Sequence, residues 1–240
     1  MGILILIAVV AFLYASVGHA GASGYIAVLI LHHVPPQVVK PSALVLNIFV
    51  ASIASFKFFR AGYFSWKIFT PLALASVPAA FCGGFTVIPG HIYQRIVGAI
   101  LVYIVISLFL QRKSGQDNQR FENPPTLVVS LVCGAGIGFL SGLVGVGGGI
   151  FLTPLLVLRR WACIKTAAGV SAMFILVNSL SGLAGFLRHG TVPSSVITLV
   201  PAAIIGGYIG AELGSRYFPY RIVRIFLAIV LMIAAYKLLF

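Results

Sequence analysis

Hydrophobic residues fall into eight long apolar segments that are separated by short polar stretches. The segments cover residues 2–31, 41–59, 68–88, 92–110, 126–158, 166–187, 192–213 and 222–240. A helix of about 20 apolar residues is long enough to cross a bilayer core of about 30 Å. The pattern therefore predicts an all-α polytopic membrane protein with eight hydrophobic segments.

Two of these segments are too long for simple crossings. As straight helices, residues 2–31 and 126–158 would each extend roughly 45–50 Å. Glycines interrupt both segments, and both stand first in their half of the chain. We therefore predict a broken helix or a re-entrant hairpin in each.

The chain divides into two related halves. Residues 111–125 form the only sustained polar stretch and separate a first transmembrane repeat, residues 1–110, from a second, residues 126–240. Landmarks recur in the same order at an offset of about 125 residues, which favours duplication over chance similarity of apolar segments. They pair Gly18 and Gly21 with Gly145 and Gly148, Ser42 with Ser171, Arg60 and Gly62 with Arg188 and Gly190, and Arg95 with Arg221.

Basic residues suggest how the halves are oriented. They concentrate after segments two and four in the first half and after segments five and seven in the second. Eight simple crossings would put one half's basic loops outside, against the positive-inside tendency. If the two glycine-interrupted segments enter and leave on one face, all the basic clusters become cytosolic. The halves are then inverted repeats of three helices plus a hairpin, with both termini outside.

Composition excludes a soluble domain. Of 240 residues, 60% are hydrophobic and 8% charged, whereas soluble domains have about 25% charged residues. The net charge of +13 comes from basic residues dispersed among loops, so it fits membrane orientation and not a nucleic-acid surface. Asp117 and Glu122 lie in the linker, which leaves Glu212 as the sole candidate for an intramembrane coupling carboxylate.

The richest candidate site is the glycine run of the second half. Each glycine costs about 1 kcal/mol in a helix, and unwound backbone at membrane depth must line protein or a cavity. Main-chain N–H groups without a neighbouring Cβ can bind an anion at the start of a helix. We predict substrate binding here by Ser141, Gly145, Gly147, Gly148 and Gly149. Close helix packing through small residues is the alternative.

Further candidates lie in the first half and in two spans. Gly18, His19, Gly21 and Ser23 form the first-half counterpart of the glycine run, where His19 is either a proton-accepting ligand or a structural histidine. Polar donors within spans are Asn47, Ser171 and Asn178, with interhelical hydrogen bonding as the alternative. Lys40 stands at the edge of the second segment and could line a vestibule, although lysines at the ends of spans normally extend to lipid headgroups.

The second-half motif resembles that of the TauE/SafE family of sulfite exporters. It reads Ser141-Gly142-x-x-Gly145-x-Gly147-Gly148-Gly149, followed by Pro154 and Leu155, and the duplicated architecture and the Arg-x-Gly turns at Arg60 and Arg188 agree with it. The first-half motif departs from the pattern, with Ala20 and Ala22 in place of glycines. The resemblance implies transport of sulfite or organosulfonates such as sulfoacetate across the bacterial inner membrane.

Enzyme and cofactor functions lack the residues they need. Cys82, Cys133 and Cys163 are isolated, so no metal site and no cofactor are expected. No paired carboxylates exist for hydrolysis. An intramembrane serine protease with Ser141 in a G-x-S-G signature would need glycine at position 139, where this chain has Phe139.

We predict a secondary transporter that exports a small anion by alternating access at a glycine-rich midplane site. An anion channel and a non-transporting subunit of a membrane complex are the alternatives.

Overall fold

A computed structural model describes residues 2–89, 92–93, 95–99, 102–103, 106 and 123–216. These residues form helices and connecting turns, with no β-strand among them. The helices are α1 (Gly2–Ala15), α2 (Ala22–Leu31), α3 (Pro36–Arg60), α4 (Trp66–Phe85), α5 (Leu127–Val144), α6 (Gly149–Leu158), α7 (Ile164–Phe186) and α8 (Val196–Arg216). The described residues of the fourth segment are also helical. The eighth segment and residues 111–122 of the linker lie outside the described residues.

Five of these helices, α3, α4, α5, α7 and α8, are long and apolar enough to cross a membrane. The all-α membrane architecture is thus confirmed. Helix α3 begins at Pro36, five residues before the apolar segment at residues 41–59. Proline fits the first turn of a helix, where its missing N–H would have no partner.

Both long segments are interrupted where the glycines predicted it. In the first, α1 ends at Ala15 and α2 begins at Ala22. In the second, α5 ends at Val144 and α6 begins at Gly149. Five of the intervening glycines have the positive φ that other residues rarely adopt: Gly18, Gly21, Gly145, Gly147 and Gly148, with φ between 76° and 101°. We call these two interruptions the first break and the second break.

The second break folds its segment into a hairpin. The Asn123 N–H, just before α5, donates to the Trp161 carbonyl, just after α6, at 2.9 Å. The Lys165 ammonium, at the start of α7, donates to the Tyr63 hydroxyl at 3.4 Å. The two ends of the hairpin therefore lie at the end of the bundle where α3 finishes, which we call the Arg60 end. The opposite end, where α3 starts, is the Lys40 end.

Helices of one half pack on helices of the other half. Helix α5 runs parallel to α4, and its glycines lie against carbonyl groups of α4. A Cβ added to one of these glycines would lie 2.0–2.3 Å from a carbonyl oxygen. The pairs are Gly134 with Leu72, Gly138 with Ser76 and Gly142 with Ala80. Helix α8 packs on α1 in the same way, with added Cβ atoms 1.9–2.1 Å from carbonyl oxygens. The pairs are Gly206 with Ala8, Gly210 with Phe12 and Gly214 with Ser16. The absence of side chains lets the backbones approach closely.

The central pair of helices, α3 and α7, is antiparallel. Phe58 lies beside Gly169, whereas Asn47 donates a hydrogen bond to Ser179. Position numbers thus rise along one helix as they fall along the other. The two helices therefore cross the middle of the bundle in opposite directions.

An ion pair joins the halves at the Arg60 end. Lys57 of α3 pairs with Glu212 of α8, and the Lys57 ammonium lies 4.4 Å from the ring centroid of Tyr208. Glu212 is the only carboxylate among the described residues. The one candidate coupling carboxylate is therefore engaged with a cation.

Candidate functional site

Main-chain N–H groups without acceptors are the main feature of the second break. The N–H groups of Gly145 and Val146 donate to the Ser141 carbonyl at 2.8 and 3.2 Å. Those of Gly147, Gly148, Gly149 and Ile150 have no acceptor among the described residues. They precede or begin α6, and the residues around them are buried. Buried N–H groups are rarely left unpaired in proteins.

The first break repeats this arrangement. The His19 N–H donates to the Tyr14 carbonyl at 2.9 Å. Within the described chain, the N–H groups of Ala20, Gly21, Ala22 and Ser23, which lead into α2, have no acceptor. Each half thus presents unpaired donors at the start of a short helix, where the helix dipole is positive.

The two breaks meet at His19. Its imidazole lies beside the backbone of Gly149, and its Nδ1 is 3.2 Å from the Val17 carbonyl. The side chain is buried. His19 therefore connects the first break to the start of α6.

Polar side chains of α3, α5 and α7 surround the second break. A Cβ on Gly147 would lie 2.8 Å from the Asn47 amide nitrogen and 3.1 Å from the Ser179 hydroxyl. Asn47 Nδ2 donates to the Val146 carbonyl and to Ser179 Oγ, both at 3.4 Å. Since Val146 lies within the break, Asn47 fixes the position of the unwound backbone.

Two buried polar atoms near the second break have no hydrogen-bond partner in the described part of the chain: Ser141 Oγ and Asn47 Oδ1. Ser141 lies beside Gly148. Leaving a buried polar atom unpaired costs about 1–3 kcal/mol. Together with the unpaired N–H groups, these atoms indicate a place for a polar solute or water.

The structure brings most of the predicted second-half residues together. Gly148 adjoins Ser141, and Gly149 adjoins the Ser171 carbonyl. Thr153 Oγ1 donates to Ser171 Oγ at 2.7 Å. Around the second break the chain thus gathers Ser141, Gly147, Gly148, Gly149, Asn47, Ser171 and, from the first half, His19.

Other predicted residues have different neighbours. Gly18 packs on Ala168, Gly21 on the Tyr25 ring and Gly145 on Lys40. The Ser23 and Tyr14 hydroxyls are 2.7 Å apart. Asn178 Nδ2 donates to the Phe174 carbonyl within its own helix at 2.9 Å. None of these contacts is with the cluster at the second break, although the N–H groups of Gly21 and Ser23 remain among the unpaired donors of the first break.

Lys40 faces the interior of the bundle and does not extend to the lipid headgroups. Its side chain is only 7% exposed, and its ammonium donates to the carbonyls of Gly84 at 3.1 Å and Gly83 at 3.4 Å. Because α3 starts at Pro36, Lys40 lies within the helix and faces the bundle. The Pro35-Pro36 pair was the sequence signal for this earlier start.

A cavity of about 250 Å³ adjoins Lys40 at the Lys40 end of the bundle. The ends of α4 and α7, the start of α3, α5 and the fourth segment supply its walls. The residues that line it are Gln37, Lys40, Gly84, Thr86, Val87, Ile88, Tyr93, Leu143, Phe186, His189 and Gly190. None of the predicted site residues lines this cavity, although Lys40 connects it to Gly145.

Comparisons with known proteins point to membrane transport. The family model described as Sulfite exporter TauE/SafE matches residues 3–238. A protein of Sinorhizobium fredii named a probable membrane transporter protein is 37% identical over 242 residues, covering 100% of this chain and 98% of its own length. A Bacillus subtilis protein named probable membrane transporter protein YunE is 26% identical, covering 83% of this chain and 80% of its own. No solved structure matches the chain.

Proposed function

Since the chain belongs to the sulfite exporter TauE/SafE family and is a multi-pass membrane protein, we propose that it is a secondary transporter that exports a small sulfur-containing anion. Sulfite and organosulfonates are the candidate substrates. The observation that carries this proposal is the pair of buried breaks with unpaired main-chain N–H groups. Such donors match an anion and have nothing to offer a cation.

The electrostatics of the breaks support an anionic solute. The unpaired N–H groups stand at the starts of α2 and α6, each with 10 residues, and a helix start carries roughly half a positive charge. Among the described residues, the only carboxylate is Glu212, which is paired with Lys57. No described acid therefore competes with a bound anion for these donors.

The packing of the halves supports inverted repeats. A two-fold axis in the membrane plane reverses the direction of every helix that it exchanges, and α3 and α7, the second-segment helices of the two halves, are antiparallel. The mutual packing of α5 on α4 and of α8 on α1 follows the same exchange. In this arrangement substrate sites lie at the interface of the repeats near the midplane. Rocking of the repeats about the breaks would expose the bound anion to each side in turn.

This topology predicts a clear labelling pattern. With Cys82, Cys133 and Cys163 replaced by alanine, a cysteine at His32 should react with an impermeant maleimide in intact cells. A cysteine at Ala61 should react only after permeabilisation, since the Arg60 end is cytosolic. Both positions are exposed turns, so accessibility to the reagent is matched. The reverse pattern would contradict the orientation, and labelling of both sites from outside would contradict the inverted repeat.

Transport itself is tested in proteoliposomes at a controlled potential. Moving one charge gains about 2.3 kcal/mol per 100 mV, so an electrogenic uniporter should let ethanesulfonate accumulate about 50-fold in vesicles that are 100 mV positive inside. A carrier should also show counterflow, with uptake stimulated by unlabelled anion inside. Large currents without counterflow would indicate a channel. Absence of flux for sulfite and for every sulfonate would indicate a non-transporting subunit.

A further inference from the structure

We propose that the cavity at the Lys40 end is an anion-binding vestibule and that Lys40 is its principal ligand. The inference rests on the proposed anion transport and adds a binding position outside the glycine breaks. It concerns a lysine that no motif marks and that lies 105 residues before Gly145 in the sequence.

Lys40 is a buried cation with no compensating acid among the described residues. A buried charge is costly unless it is paired, and the lysine ammonium has carbonyls as its hydrogen-bond partners, those of Gly83 and Gly84. The described carboxylate, Glu212, is held by Lys57 at the opposite end of the bundle. The carbonyls orient the ammonium but leave its charge available. An anion in the adjoining cavity would compensate it.

Capping of α4 is the simpler role for this lysine. Basic side chains do bind the last carbonyls of helices, and Gly83 and Gly84 precede the end of α4 at Phe85. A cap, however, requires no cavity beside the ammonium. Here the charge sits on the wall of a cavity of about 250 Å³, within 5.7 Å of the Phe186 ring centroid. The cavity is the feature that capping leaves unexplained.

The walls of the cavity define the solute that fits. Its volume of about 250 Å³ is large enough for a small organic anion. Gln37 and His189 add polar groups near the cation, while Leu143 and Phe186 are apolar. The described residues that line it include no acid. The expected ligand is a small anion whose charged group meets Lys40 and whose short carbon portion meets the apolar wall.

Lys40 also contacts the second break directly. A Cβ on Gly145 would lie 3.2 Å from both Lys40 Cγ and the Lys40 carbonyl oxygen. Tyr93, another cavity residue, donates its hydroxyl to the Val144 carbonyl at 2.9 Å. A solute at Lys40 is therefore separated from the break by one layer of side chains. This makes the vestibule the last position of the anion on the Lys40 side of the bundle.

Lys40→Met tests the proposal, because methionine keeps the unbranched shape and most of the length of the side chain and removes the charge. In proteoliposomes we expect the KM for ethanesulfonate to rise about tenfold or more, as for loss of a charged hydrogen bond. Ethanesulfonate should also no longer raise the melting temperature of the purified full-length variant. Lys40→Arg should retain most of the affinity. Lys165→Met is the matched control, since Lys165 donates to Tyr63 outside the cavity, and its KM should stay within about twofold.

The outcomes separate this proposal from the proposed function. If the parental protein transports the sulfonate and Lys40→Met does so with unchanged KM, the vestibule is wrong and the transport function stands. If the parental protein neither binds nor transports any anion, the proposed function is wrong as well. Should Lys40→Met fail to fold, Val87→Trp decides, because Val87 is 77% exposed and lines the cavity. A large side chain there should narrow the cavity and raise the KM, and an unchanged KM would overturn the proposal.

Discussion

Gly148→Ala is expected to reduce transport about tenfold or more while the protein stays folded. Gly148 has φ +81°, and an added Cβ would lie 2.9 Å from the Phe174 ring and 3.3 Å from Ser141 Cβ. The left-handed conformation costs a non-glycine residue about 1–2 kcal/mol. The ring and the methylene can yield, but the methyl group would take up space beside the unpaired N–H groups of the second break. The loss should therefore appear in anion flux and not in expression.

Gly136→Ala is the matched control for this substitution. Gly136 lies on an exposed face of α5, where an added Cβ would meet nothing within 4 Å. Initial rates of sulfonate counterflow and the melting temperature should be recorded for both variants. Parental flux in Gly148→Ala would rule out the second break as the binding site. Loss of folding in that variant alone would favour the packing role of the glycine run.

Gly138→Leu is expected to disrupt the pairing of α4 and α5. A Cβ on Gly138 would lie 2.3 Å from the Ser76 carbonyl oxygen and 2.6 Å from Ser76 Cα. These are backbone atoms, so one helix must move away from the other. Overpacking typically costs about 1–3 kcal/mol and more where backbone must shift, and we expect about 3 kcal/mol or more here. The measurement is thermal unfolding of the purified protein in detergent.

Gly136→Leu again provides the comparison, two residues away in the same helix. Both variants gain the same side chain and the same helix propensity, so only the neighbourhood differs. Gly136→Leu should unfold within a few degrees of the parental protein. Equal melting temperatures for the two leucine variants would show that the close contact of α4 and α5 does not contribute to stability.

The local sequence determined the helices and their interruptions. Hydrophobicity reflects how each residue partitions between water and lipid, so it can be read without knowing any partner. Clusters of glycine in two segments too long for one crossing likewise predicted interrupted helices, and both segments are interrupted there. The distribution of Lys and Arg predicted which loops face the cytosol, and labelling of cysteines at His32 and Ala61 tests that orientation.

Which residues face one another was decided by the tertiary structure. The sequence predicted binding by Gly145 and by Gly147 to Gly149, with close helix packing as the alternative. In the structure Gly134, Gly138 and Gly142, earlier in the same segment, pack on α4, whereas Gly147 and Gly148 turn the chain. A glycine of either group destabilises an isolated helix by the same free energy, so the sequence alone cannot tell a packing glycine from one that turns the chain. The difference arises from the backbone that lies opposite.

Lys40 shows the same limit for a charged residue. A lysine near the start of a span reaches headgroups if its helix face meets lipid, and it enters the protein if that face meets other helices. The carbonyls of Gly83 and Gly84 that hold its ammonium lie more than 40 residues away in the chain. Apolar spans and breaks therefore follow from the sequence alone. The cross-packing of the two halves, the meeting of His19 with the second break, and the buried cation beside the cavity exist only once distant backbones come together.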